Sequence, residues 1–234
     1  MKTRNIILFG LLFLSYQQIY IQKDDAKQKL GFNQDLADEL NKLAKADQLA
    51  ASNAFPPEKF KNLTQKKWED FKDSVFRTHE TSLEKIFIKF GYPGYSLVGK
   101  KGEFNFWLMV QHCDFAPDFQ LRVLQSMKIE VEKNNADPGN YAYLTDRELI
   151  NTGKQQIFGT QITYNSIGQA YPINLVDSAN VNKRRKEKRM EPIEEYLNRM
   201  TESHFDMNKD YFIKAGITEP KLYKVTNDSI KIKN

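Results

Sequence analysis

Three short polar strings hold the residues that could do chemistry: Gln111-His112-Cys113-Asp114, Tyr143-Leu144-Thr145-Asp146-Arg147 and Gln155-Gln156-Ile157-Phe158-Gly159-Thr160-Gln161. Each lies in or against an apolar segment. A polar side chain buried without a partner is costly, so these residues must pair with one another, with water or with a ligand. Histidine is the side chain that ordinarily exchanges a proton near neutrality, and His112 is the only one in the strings. If the strings converge, Asp146 or Asp114 would hold its ring and Arg147 would hold an anionic or carbonyl group. That is the equipment of a hydrolase with His112 as base, and His112, Asp146 and Arg147 are the expected catalytic residues. Gln111, Asp114, Tyr143, Gln156, Thr160 and Gln161 would line the same pocket and bind its ligand.

A structural role competes with each of these. An Asp146-Arg147 pair in a helix packed by Leu144, Leu149 and Ile150 is as readily a buried ion pair as an anion clamp. Gln156, Thr160 and Gln161, read onto a strand, either orient a ligand or satisfy buried backbone beside Gly159, where another group could approach closely. Cys113 in an apolar helix fits a small buried hydrophobe. On a helix Trp107, Gln111 and Asp114 share one side, His112 lies about 100° round, and Asp114 could cap the helix that follows. His112 and Asp114 diverge, the three histidines are far apart and there is one cysteine. No metal site or cofactor is expected. His79, between Thr78 and Glu80, suits a solvated helix face. So does the run Lys183 to Arg189, whose binding reading would offer Arg184 and Arg185 to an acidic partner or a phosphate.

The elements that must position these residues are mostly helical. Leu30, Leu36, Leu40, Leu43 and Leu49 recur at helical spacing up to about residue 51, and Pro56-Pro57 breaks the pattern. A second pattern runs from Phe60 through Trp68, Leu83 and Phe90. Gly91 to Gly99 predicts a turn-forming loop, and Phe104 to Cys113 predicts an apolar helix. Pro117 and Pro138 open two more helices, the second ended by Gly153. Gln156 to Tyr164 and Gln169 to Ile173, joined by Asn165-Ser166-Ile167-Gly168, predict a β-hairpin. Helix returns over Ser178 to Met190 and Pro192 to Met200, and the tail from Asp210 suggests a short strand pair or a loose extension. The expected fold class is mainly α: a multi-helix domain with a small β-hairpin.

The chain has 234 residues, 40% of them apolar, with 16 Phe and 11 Tyr, enough for one sizeable core. Its net charge of +5 is uneven. Residues 1–22 hold two basic residues and no acidic one, residues 23–180 hold 20 basic and 21 acidic, and residues 181–234 hold 13 and 9. A neutral body with a basic end gives only weak support to a nucleic-acid binder, which would act through residues 183–189 with steeply salt-dependent binding. Lys2 and Arg4 before the apolar run Ile6 to Leu14 predict an export signal, with a secreted or periplasmic destination. Contact with a membrane is expected only through this segment, should it stay uncleaved as an anchor. Four stretches follow: 1–22 as signal or anchor, 23–89 as an N-terminal helical region, 90–205 as the domain with the pocket, and 206–234 as an extension.

Gly91-Tyr92-Pro93, Leu97-Val98-Gly99, Trp107 to Asp114, Pro117 to Gln120, Ala142 to Asn151, Gln156 to Gln161 and Asn180 to Leu197 occur in order. Together they resemble a bacterial family catalogued as a domain of unknown function, whose pattern includes W-L-x-V-Q-H-A-D, A-Y-L-T-D-R and Q-x-Y-G-T-Q. The resemblance spans residues 90–200 and implies no reaction. The family's alanine is Cys113 here, which favours packing over a catalytic thiol; its tryptophan is Tyr92. After the arginine pair the family has an uncharged stretch with a glycine where this chain has Arg189. Two functions stay open. One is an enzyme built on His112 that acts on a small-molecule or anionic ligand. The other is a non-catalytic binding or structural module of the cell envelope. An open cleft at His112 and Arg147 favours the first, and a sealed network favours the second.

Overall fold

The computed structural model describes residues 31–225; the expected export segment and the last residues of the tail lie outside that range. Eight α-helices and one antiparallel hairpin make up the described chain, the mainly α class that the sequence predicts. Helix α1 spans Gln34–Ala51 and starts where the Asn33 side chain accepts the Leu36 N–H at 3.0 Å. It buries Leu36, Leu40, Ala44, Asp47 and Ala50, one stripe at helical spacing with a carboxylate in it. After a 3₁₀ turn at Glu58–Phe60, α2 runs unbroken over Gln65–Phe90 and stops at Gly91, whose φ of 65° is the left-handed stop a glycine allows.

Helix α3, Tyr95–Gln111, begins earlier than the expected Phe104 and bends at Gly99. The expected loop is therefore shorter, because the Tyr95 and Ser96 N–H groups find acceptors on Asn135 and helix can start there. Helices α4 (Pro117–Glu132) and α5 (Pro138–Asn151) each carry proline in the first turn. Strands β1 (Ile162–Tyr164) and β2 (Ala170–Pro172) pair with Thr163 opposite Tyr171. A 3₁₀ turn at Ser178–Asn180 precedes α6 (Val181–Glu187), α7 (Ile193–Met207) and α8 (Lys209–Lys214). In the described part of the tail the chain from Asp210 first continues as α8, with no strand among the described residues there. The segment beyond α8 is held where Asn198 bonds both backbone groups of Tyr223 and the Tyr223 hydroxyl reaches Ala170 O at 2.8 Å.

Two apolar clusters fill the interior. The larger joins α1 to α5 through Leu40, Leu83, Phe106, Val123 and Leu144; the smaller joins β2, α6 and α7 through Ala170, Val181, Ile193 and Leu197. Tyr143 packs on both, edge-on to Trp107 at 6.3 Å and to Tyr196 at 6.2 Å. No helix among the described residues is long and apolar enough to cross a membrane.

Candidate functional site

The second and third strings meet around Asp146. This residue is fully buried on α5, and its carboxylate accepts the N–H of Ile157 at 2.8 Å, Phe158 at 3.0 Å and Thr160 at 2.9 Å, and the Thr160 hydroxyl at 3.0 Å. The expectation of a strand from Gln156 is corrected: N–H groups turned inward onto one carboxylate cannot form a ladder, so β1 starts only at Ile162. Gly159, at φ 71°, permits that turn, and a Cβ there would meet Ile193 Cδ1 at 2.5 Å. Gln156 closes the loop by accepting the Gln161 N–H at 2.9 Å and donating to Gln161 O at 2.7 Å and to Ile173 O. Gln161 Nε2 in turn donates to Thr160 Oγ1 at 3.2 Å.

The arginines of the basic run close the loop from behind. Arg184 donates to Ile157 O at 2.8 Å and to the carbonyls of Val176 and Asp177, and Arg185 donates to Phe158 O at 2.8 Å and Glu191 O at 2.7 Å. Arg185 is 1% exposed, which corrects the expected solvated face. Its guanidinium lies 5.1 Å over the Tyr196 ring, and burial holds its pKa below the usual arginine value. Asp146, Gln156 and Thr160 are thus spent on backbone, and Asp146 does not orient His112.

Asp114 joins the first string to the second. Its oxygens take both arms of Arg147 at 2.7 Å, together with Asn151 at 2.8 Å and Gln120 at 3.3 Å. Burial would raise this carboxyl, but the Arg147 bond and charge outweigh it and hold the pKa below the ordinary value. Helix α3 ends at Gln111, so the expected shared face of Trp107, Gln111 and Asp114 does not exist. Nor does Asp114 cap α4, whose N-cap is Ala116 with no side-chain bond. Arg147 is committed to Asp114 and anchors the turn that carries His112.

His112 points the other way, to a residue the sequence reading passed over. Its Nδ1 lies 2.7 Å from Asp47 Oδ2 on α1, and Asp47 is fully buried. A carboxylate only accepts, so Nδ1 carries the hydrogen and a neutral ring keeps its lone pair on Nε2. Nε2 has no partner among the described residues, and the side chain keeps 22% of its surface exposed. Gln48 adds a bond to Oδ2 at 3.1 Å. On the far oxygen, His79 Nδ1 stands 3.6 Å from Oδ1; that is an electrostatic contact, and both atoms are buried without a hydrogen bond. His79 is 6% exposed, which corrects its reading as solvated. Burial would raise the Asp47 carboxyl, yet the bond and charge of His112, with His79 close by, leave it below its ordinary value.

Sequence carried a signal for both missed residues. Asp47 lies three residues after Ala44 and seven after Leu40 on the apolar stripe of α1, and His79 lies four before Leu83 on α2. A polar residue in a buried stripe asks for a partner. Of the remaining candidates, Gln111 Nε2 is buried without a partner and Tyr143 belongs to the aromatic contact between the clusters. Cys113 is buried, bonded to Met109 O, with its thiol pushed up to about 12, so it supplies no thiolate. No group of three or more His, Cys, Asp or Glu among the described residues is arranged to hold a metal ion.

The chain belongs to a family of unknown function, DUF6624, whose model matches residues 34–209. The match begins at α1 and so takes in Asp47 and His79 as well as the three polar strings. No curated protein and no solved structure matches the chain.

Proposed function

We propose that the protein is an acid–base enzyme of the hydrolytic type in which His112 is the base and Asp47 orients it. The observation that carries this reading is the 2.7 Å contact between a buried carboxylate and a part-exposed imidazole whose outer nitrogen has no partner among the described residues. Nε2 would take a proton from water as the water oxygen attacks a carbonyl or phosphoryl centre, and would return it to the leaving group. The positive ring formed between those steps would be stabilised by Asp47. Asp114 and Arg147 are positioning residues here, fixing the turn on which His112 sits. An exported location is part of the same proposal and rests on Lys2, Arg4 and the apolar run after them.

The test is a panel of chromogenic ester, amide, phosphoester and glycoside substrates offered to the wild type and to His112→Gln and Asp47→Asn. One class should be hydrolysed, with kcat/KM reduced about 10²- to 10⁴-fold by His112→Gln and less by Asp47→Asn, melting temperatures staying close. Undiminished turnover in His112→Gln, or no hydrolysis of any class, removes the reading.

The sealed cage around Asp146 favours a second reading for that half of the molecule: Asp146, Gln156, Thr160, Arg184 and most of Arg185 fix the fold. They would do so whether or not His112 is catalytic.

A further inference from the structure

Away from His112, the start of α5 faces the corner between α6 and α7 across two adjoining hollows of about 240 and 290 Å³. They meet at Asp137 and Arg189. Arg185 forms part of the wall of the first, beside Tyr143 and Met190, and its Nη2 is buried with no hydrogen-bond partner among the described residues. A buried guanidinium N–H left unpaired is costly, and a ligand oxygen is the simplest group to satisfy it. Arg189 stands on the shared rim, and Lys100 and Lys188 line the second hollow. None of these four cations has a carboxylate partner among the described residues.

The two acidic residues in the walls are otherwise engaged. Asp137 Oδ1 accepts the N–H groups of Gly139 and Asn140 at 2.8 and 2.9 Å, and Glu191 pairs with Arg199 at 2.5 Å. Beneath Asp137, burial pushes the Glu103 carboxyl up to about 7, which weakens its negative charge near neutrality. Arg189 also keeps its side chain on a left-handed backbone, φ 58°, a conformation that favours glycine.

We propose that this paired hollow binds a small oxyanion, a phosphate- or carboxylate-bearing molecule, with its charged end on Arg185 Nη2 and Arg189 and its remainder toward Lys188 and Lys100. The site is separate from the His112 centre and does not depend on the hydrolase reading. The apolar flank of Met190 and the Tyr143 ring admit a small organic body, and the volume suits a compact molecule rather than a polymer.

Calorimetric titration and thermal melting of the full chain with sodium phosphate and with sodium succinate, at constant ionic strength set by sodium chloride, test it. Saturable single-site binding of either probe is expected: phosphate alone identifies a tetrahedral anion, succinate alone a carboxylate, and both a general oxyanion site. Arg189→Gly relieves the backbone and removes one donor, so the unliganded melting temperature should hold or rise while affinity falls about tenfold. Lys188→Ala should weaken binding less, and His112→Gln should leave it unchanged. The proposal is overturned if neither probe binds saturably at up to about 10 mM, where a 1 mM site would be about nine-tenths filled. It is equally overturned if Arg189→Gly binds like the wild type.

Discussion

Two aspartates, Asp47 and Asp146, are both fully buried, yet they are solvated in opposite ways. Asp146 is ringed by backbone N–H groups and a hydroxyl from one loop, so its charge is answered by dipoles that cannot leave. Asp47 is answered mainly by two imidazoles, His112 on the turn after α3, bonded at 2.7 Å, and His79 on α2, standing off at 3.6 Å. The first arrangement specifies a conformation and has no spare capacity. The second leaves one imidazole in contact with solvent and a second ring close by. The difference shows where to look for chemistry: a carboxylate serves reactivity when its partners can titrate and serves folding when they cannot.

Removing each carboxylate is the most direct way to break that contrast. Asp146→Ala orphans three backbone donors and the Thr160 hydroxyl inside a buried loop, and should cost about 3–5 kcal/mol in denaturant melts. A loss below about 1 kcal/mol would show that the loop does not need its carboxylate.

Glu103, buried and bonded by the Tyr92 hydroxyl at 2.6 Å, sharpens the contrast as a third kind of site. Burial, only partly countered by the Tyr92 and Asp137 bonds, raises it from 4.5 to about 7. The folded state therefore holds a proton that the unfolded chain releases. Stability should fall as pH rises from 4.5 to about 7, by on the order of 3 kcal/mol, and Glu103→Gln should flatten that slope in melts taken across the window. An unchanged slope would assign the pH dependence elsewhere.

Gly159→Ala tests the cage through its backbone. The left-handed φ and the Ile193 contact should together cost about 1–2 kcal/mol by thermal melting. Stability equal to the wild type would mean that the loop re-forms around Asp146 by another path.

Asp47→Asn should have the smallest effect on stability at neutral pH, about 1 kcal/mol. Because the folded carboxyl is held below 3.8, its contribution is complete above that value and is lost as pH falls through the lowered one. The variant should accordingly lose stability less steeply than the wild type on acidification. Parallel acid limbs for the two proteins would break the proposed coupling between Asp47 and the histidines.

The helical class, the capping prolines and the hairpin turn at Gly168 were legible because local spacing and turn chemistry determine them. The three strings were also legible as polar groups needing partners, and Asp114 with Arg147 and Asp146 with the Gly159 loop do join them in sequence. What spacing could not reveal was direction. Helix α3 ends one residue before His112, and that single frayed step turns the ring toward α1 instead of toward Asp114. Asp47 is 65 residues away from it, and no periodicity links two helices at that range. The buried arginine was hidden for a similar reason: seven residues of basic sequence look solvated until a carbonyl from a distant loop arrives to meet one of them.

Helix α5 carries the wall of the hollow at its start and, on two consecutive residues of its second half, the Asp146 cage and the Arg147 anchor, over 14 residues or about 20 Å. A rod of that length does not bend to suit one end alone. One short element therefore supports both the wall of the hollow, through Asn140 and Tyr143, and the turn on which His112 sits, through Arg147 and Asp114.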